Sequence, residues 1–142
     1  MFRAGDVVTI EARHWKDVPA AKRGTVRGVG LAADAAVKEI AREHGADISD
    51  RYAPHDFRLA LFYDIKTTLG AWLSLQWSEY QFALQEVEAG RDVIYPVFRQ
   101  LDEQSVVFLG YTSFTTLQAR EPACLTGSSP YWKMSTVREC FI

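Results

Sequence analysis

The chain has 142 residues, 48% hydrophobic and 24% charged, a composition that excludes a disordered segment and suffices to bury a core without disulfides or metal. A formal net charge of −2 excludes a global field that would draw nucleic acid or a membrane surface. The charge is uneven: residues 1–30 hold Arg3, Arg13, Lys16, Lys22, Arg23 and Arg27 against Asp6, Glu11 and Asp17.

Taken in chain order, Val7–Ala12 alternates weakly after Gly5-Asp6 and predicts a strand. Residues 14–24, broken by Pro19 and Gly24, read as a loop, and Thr25–Val29 as a short second strand. Ala32–His44 is the clearest helix. Ala36, Val37, Ile40 and Ala41 form its apolar stripe, and Gly45 stands at its C-terminal cap. After a loop over 49–56, Phe57–Lys66 predicts one long strand. Phe57, Leu59, Leu61, Tyr63 and Ile65 lie on its core face, and Arg58, Asp64 and Lys66 on the other.

Residues 67–90 carry two patterns. Ala71, Leu73, Leu75 and Trp77 alternate, as do Tyr80, Phe82 and Leu84, yet Leu69, Trp72, Leu73, Trp77, Tyr80, Leu84 and Val87 also fit helical spacing. The turn-like Ser78-Glu79 tips the reading to strand, with helix left open. Val93–Leu101 predicts a strand in which Pro96 marks an edge or bulge. Ser105–Gln118 and Tyr131–Ile142 predict two more strands, separated by a loop over 120–130. The expected fold is a single α+β domain over residues 1–142. One main helix near the N-terminus packs on a predominantly antiparallel curved sheet, open barrel or sandwich, connected as a meander.

Gly24-x-x-x-Gly28-x-Gly30, followed by the helix, resembles the glycine turn of short-chain dehydrogenases/reductases. The resemblance implies a dinucleotide whose pyrophosphate sits at the helix N-terminus. That turn requires a buried parallel strand ahead of it, whereas "KDVPAAKR" is polar and proline-broken. The family's Tyr-x-x-x-Lys pair is also missing: the residues four beyond the six tyrosines are Asp56, Thr67, Leu84, Arg99, Thr115 and Ser135. No cofactor is therefore expected. "AGDVVTI" followed by "RGTVRGV" resembles the first strands of SH3-like barrels, including KOW-type RNA- and ribosome-binding modules. The resemblance implies nucleic-acid binding through the basic N-terminal segment.

His14, His44 and His55 have no metal-ligand spacing, and Cys124 and Cys140 form no Cys-x-x-Cys, so no metal is expected and both thiols read as free. Free thiols, no signal-like N-terminus and no apolar span predict a cytoplasmic protein. "LTGSSP" (125–130) lacks the context of a nucleophile elbow and reads as a surface loop.

The unusual feature is the aromatic content of 13%. It points to a non-enzymatic binding or regulatory module acting through an aromatic-rich surface or pocket on a partner protein or small ligand, as a homodimer. The candidate contact residues are Trp15, His55, Arg58, Trp77, Tyr95 and Trp132. Two alternatives stand beside it: a small enzyme with an acid/base site near His55-Asp56, and the nucleic-acid-binding module.

Overall fold

The computed structural model describes residues 1–123 and 129–142. The expectations for Cys124 and for most of the "LTGSSP" loop lie outside the described residues. Among the described residues, nine strands and four α-helices form an α+β fold with a curled, mostly antiparallel sheet.

Helix α1 spans Val26–Glu43 and so begins at the stretch expected to be a second strand. Thr25 is its N-cap: the hydroxyl accepts a hydrogen bond from the Gly28 N–H, satisfying one of the donors that a helix start leaves open. The three glycines act on the backbone. Gly24 adopts a φ of +82°, which a side chain would strain, and Gly28 lies so close to the preceding turn that a Cβ would come within 2.0 Å of the Lys22 carbonyl oxygen. Two short 3-10 turns, Ala12–Trp15 and Ala20–Lys22, stand where a dinucleotide fold places its strand.

The main sheet contains β1 (Val7–Thr9), β2 (Asp47–Ile48), β3 (Phe57–Leu59), β4 (Leu61–Tyr63), β5 (Lys66–Thr68), β7 (Val93–Asp102) and β8 (Ser105–Ser113). A separate pair joins β6 (Trp72–Ser74) to β9 (Tyr131–Lys133). The main order is β1-β8-β7-β4-β3-β2, with β5 also on β7. The expected meander is corrected here, because β4 and β5 both run parallel to β7. The reason is helix α2 (Trp77–Glu88), which carries the chain back across the sheet.

Four further corrections are local. Phe57–Lys66 is a tight hairpin rather than one strand, folding at Ala60, whose φ is +54°. Residues 67–90 divide between the two patterns: β5 and β6 take the alternation, and Trp77 onward takes the helix. Gln76 and Glu79 close a capping box at that boundary. The strand expected over 105–118 ends at Ser113, which N-caps helix α3 (Phe114–Gln118). The last expected strand is β9 followed by helix α4 (Met134–Glu139).

Two apolar clusters hold the sheet. One packs Val29, Ala32, Ala33, Ala36, Val37 and Ala41 of α1 onto Phe57, Phe98, Val106 and Phe108. The other collects Val93, Tyr95 and Val97 with Phe114, Leu117, Trp132 and Val137. Central β7 thus feeds both cores. Pro96, expected at an edge or bulge, lies inside this central strand beside a register shift at Val97/Phe98. Its missing N–H is tolerated because the neighbouring chain leaves the ladder between β4 and β5 at that level. No helix among the described residues is long and apolar enough to cross a membrane.

Candidate functional site

The break between β4 and β5 creates the site. Asp64 and Ile65 lie between the two strands, and the Ile65 N–H has no ladder partner. It donates instead to Asp56 Oδ2 at 2.7 Å. Around that point opens a cleft of about 370 Å3. Helix α1 contributes Arg27, Gly30, Leu31 and Asp34, which share one face at spacings of three, four and seven residues, opposite its buried alanine stripe. The loop before β3 contributes His55 and Asp56, the β4–β5 link and β5 contribute Asp64 to Thr68, and α2 contributes Glu79. A second groove of about 250 Å3 shares Lys66–Leu69 and Ser74 with the cleft and runs on to Trp72, which is 57% exposed.

The charges are sorted by partner. Lys66 Nζ donates to both Glu79 oxygens at 2.9 and 2.8 Å and lies 3.3 Å from Asp64 Oδ2. All three side chains are at least 85% buried. Burial lifts the Asp64 carboxyl well above the ordinary carboxylate range, with the neighbouring Glu79 charge adding to the Lys66-opposed effect. Burial also pushes Glu79 up, but Lys66 and hydrogen bonds from Asp64, Lys66 and the Gln76 N–H outweigh it and hold that carboxyl low. The two carboxyl groups beside Lys66 are thus pushed in opposite directions, Asp64 up and Glu79 down. Burial disfavours the Lys66 ammonium, yet Asp64 and Glu79 hold its pKa above the ordinary value.

Asp56 is held on its other oxygen by Lys38 at 3.3 Å. The Asp34 carboxyl makes no hydrogen bond or ion pair among the described residues. Burial, followed by repulsion from Asp56, raises its pKa well above the ordinary range. The His55 ring stacks on Phe62 at 4.1 Å and its Nδ1 meets Ser49 Oγ at 2.6 Å. Burial lowers its pKa, favouring the neutral imidazole. No three His, Cys, Asp or Glu side chains among the described residues are grouped so as to hold a metal ion.

The six candidate contact residues do not come together. His55 lines the cleft. Arg58 lies on the exposed side of β3, its guanidinium 5.3 Å from the Phe62 ring centroid. Trp15 packs half-buried against the first core, while Tyr95 and Trp132 are buried in the second. Trp77 is 39% exposed at the start of α2, stacked on Tyr80. Asp56, named with His55, is on the cleft wall. Asp34, Asp64, Lys66 and Glu79 were not singled out. Two of them, Asp64 and Lys66, lie on the face opposite the expected core face of the strand, and the chain break turns that face into the cleft. No family model, no curated protein and no solved structure matches this chain.

Proposed function

We propose that the chain is a binding module for a small polar molecule held in this cleft. The observation that carries the reading is the convergence of polar groups from α1, the loop before β3, β5 and α2 on a cavity of about 370 Å3. That volume falls in the range of small-molecule sites, and a few placed polar groups beside an apolar wall are their usual makeup. The groove past Leu69 and Trp72 supplies the apolar side. The aromatic contact expected of the chain then falls to Trp72.

Gly30 offers a clean test. It lines the cleft, and a Cβ there meets nothing within 4 Å. Gly30→Phe fills the cavity while improving the helix propensity of its position. A fragment library screened by ligand-observed NMR should yield binders of the wild type that Gly30→Phe no longer holds. Binders retained equally by both proteins would move the site elsewhere.

One observation favours a second reading, acid–base chemistry at the same place. Two hydrogen-bonded carboxyl groups with pKa values driven apart, Asp64 up and Glu79 down, form a matched acid and base. Incubating each bound fragment with protein and following its mass tests this reading. Conversion that Asp64→Asn abolishes supports it, and fragments that bind but emerge unchanged refute it.

A further inference from the structure

We propose that the cleft takes a small organic ammonium or guanidinium compound, with the Asp34 carboxylate as its counter-ion. The inference rests on the binding reading above and names the ligand class. It follows from asking which polar groups of the cleft are already satisfied. Glu79 accepts from Lys66 and from the Gln76 N–H. Asp64 lies against Lys66, and Asp56 accepts from the Ile65 N–H and pairs with Lys38. Asp34 has none of these. Lys38, one turn along α1, is turned to Asp56 instead. Another residue lining the cleft, Thr67 of β5, has its Oγ1 buried with no hydrogen-bond partner among the described residues.

A half-buried carboxylate without a partner is costly, and a ligand cation removes that cost by pairing with it. The protein shows the arrangement once already, where the Lys66 primary ammonium is clasped between Glu79 and Asp64. The dispersed carboxylates suit an organic cation better than a metal ion, since no three of them are grouped for ligation. Arg27, on the same helix face, is exposed and is not among the charges that act on Asp34. The groups whose charge bears on Asp34 are Asp56, Lys38, Lys66 and Glu79. Burial and the Asp56 charge disfavour the charged form of Asp34, and pairing with a ligand cation offsets that cost. The groove lined by Leu69 and Trp72 gives such a cation room for an apolar tail.

The test titrates 15N-labelled protein with butylammonium, butanol and butyrate, each to about 10 mM, the range in which a weak single-group ligand registers. Butylammonium should shift the amides of Asp34, Lys66 and Thr67, and the two other compounds should leave them in place. Asp34→Asn, which removes the charge at a position with no partner to lose, should weaken butylammonium binding about tenfold or more.

Equal shifts from butanol or butyrate, or undiminished butylammonium binding by Asp34→Asn, would overturn the assignment of ligand class while the cleft remained a binding site. Silence from all three compounds would overturn the assignment as well. The binding reading itself would then be decided separately, by the Gly30→Phe comparison.

Discussion

Tyr95→Phe should make the protein more stable. Tyr95 sits on β7 with no exposed surface, in the apolar cluster that contains Phe114 and Trp132. Its hydroxyl oxygen is buried without a hydrogen-bond partner among the described residues. Burial, with the Asp64 and Glu79 charges nearby, raises its pKa well above the ordinary value, so the group is a neutral, unsatisfied phenol. Leaving a hydroxyl unpaired in an apolar interior costs about 1–3 kcal/mol. Deleting the oxygen leaves a void of roughly one atom, on the order of 10 Å3, which costs about 0.2 kcal/mol. The balance is a gain of about 1 kcal/mol or more, worth about 4 °C in Tm for a chain of this size. Urea unfolding should show a higher midpoint at unchanged slope. A Phe variant of equal or lower stability would mean that the hydroxyl is paired, and the reasoning would fail. Tyr95 is not on the cleft wall, so fragment binding should be unchanged in the same variant.

Lys66→Met strips Glu79 and Asp64 of a buried counter-ion and should cost about 3 kcal/mol near neutral pH, with the loss shrinking as Glu79 is protonated on acidification. A variant as stable as wild type across pH would show that the ammonium is not the group holding the cluster. Glu39 accepts from Arg13 and His14, and these hydrogen bonds lower its pKa from 4.5 to about 2. Its folded-state pKa is depressed, so the stabilisation is present above 4.5 and is lost as pH falls toward 2. The Tm gap between wild type and Glu39→Gln should close across that window. Gly28→Ala should destabilise by about 2 kcal/mol or more through its clash with the Lys22 carbonyl. Gly30→Ala, two residues on, should stabilise by about 1 kcal/mol because the space is open. Equal effects in chemical denaturation at the two glycines would refute the close approach.

A small part of the candidate site was legible along the chain. His55 and Asp56 stood out as polar residues ahead of a strand, and both line the cleft. The α1 contribution was present as the stripe Arg27, Gly30, Leu31 and Asp34, opposite the alanine stripe that marked the core face. It stayed hidden because the helix start was read at Ala32, which left Arg27 and Gly30 outside the helix. The Thr25 cap, three residues ahead of its Gly28 donor, was the signal for the earlier start. Asp64 and Lys66 could not be found by alternation. Alternation places them on the polar face of a strand, and only the switch of β7's parallel partner from β4 to β5 turns that face into a cleft.

The sequence by itself determined the α+β class, the amphipathic core of α1, the glycine-closed helix end and the two long strands β7 and β8. Each rests on a periodicity or a cap that operates within a dozen residues. Tertiary structure decided the rest. The fold of the chain at Ala60 comes from a residue with no turn signature, held left-handed by the pairing of β3 with β4 and by the Phe57–Tyr63 ring stack. The choice of helix at Trp77 was settled by a capping box whose Glu79 is also gripped by Lys66 from another element. Those contacts join residues distant along the chain, and no local pattern carries the energy of a contact that has not yet formed.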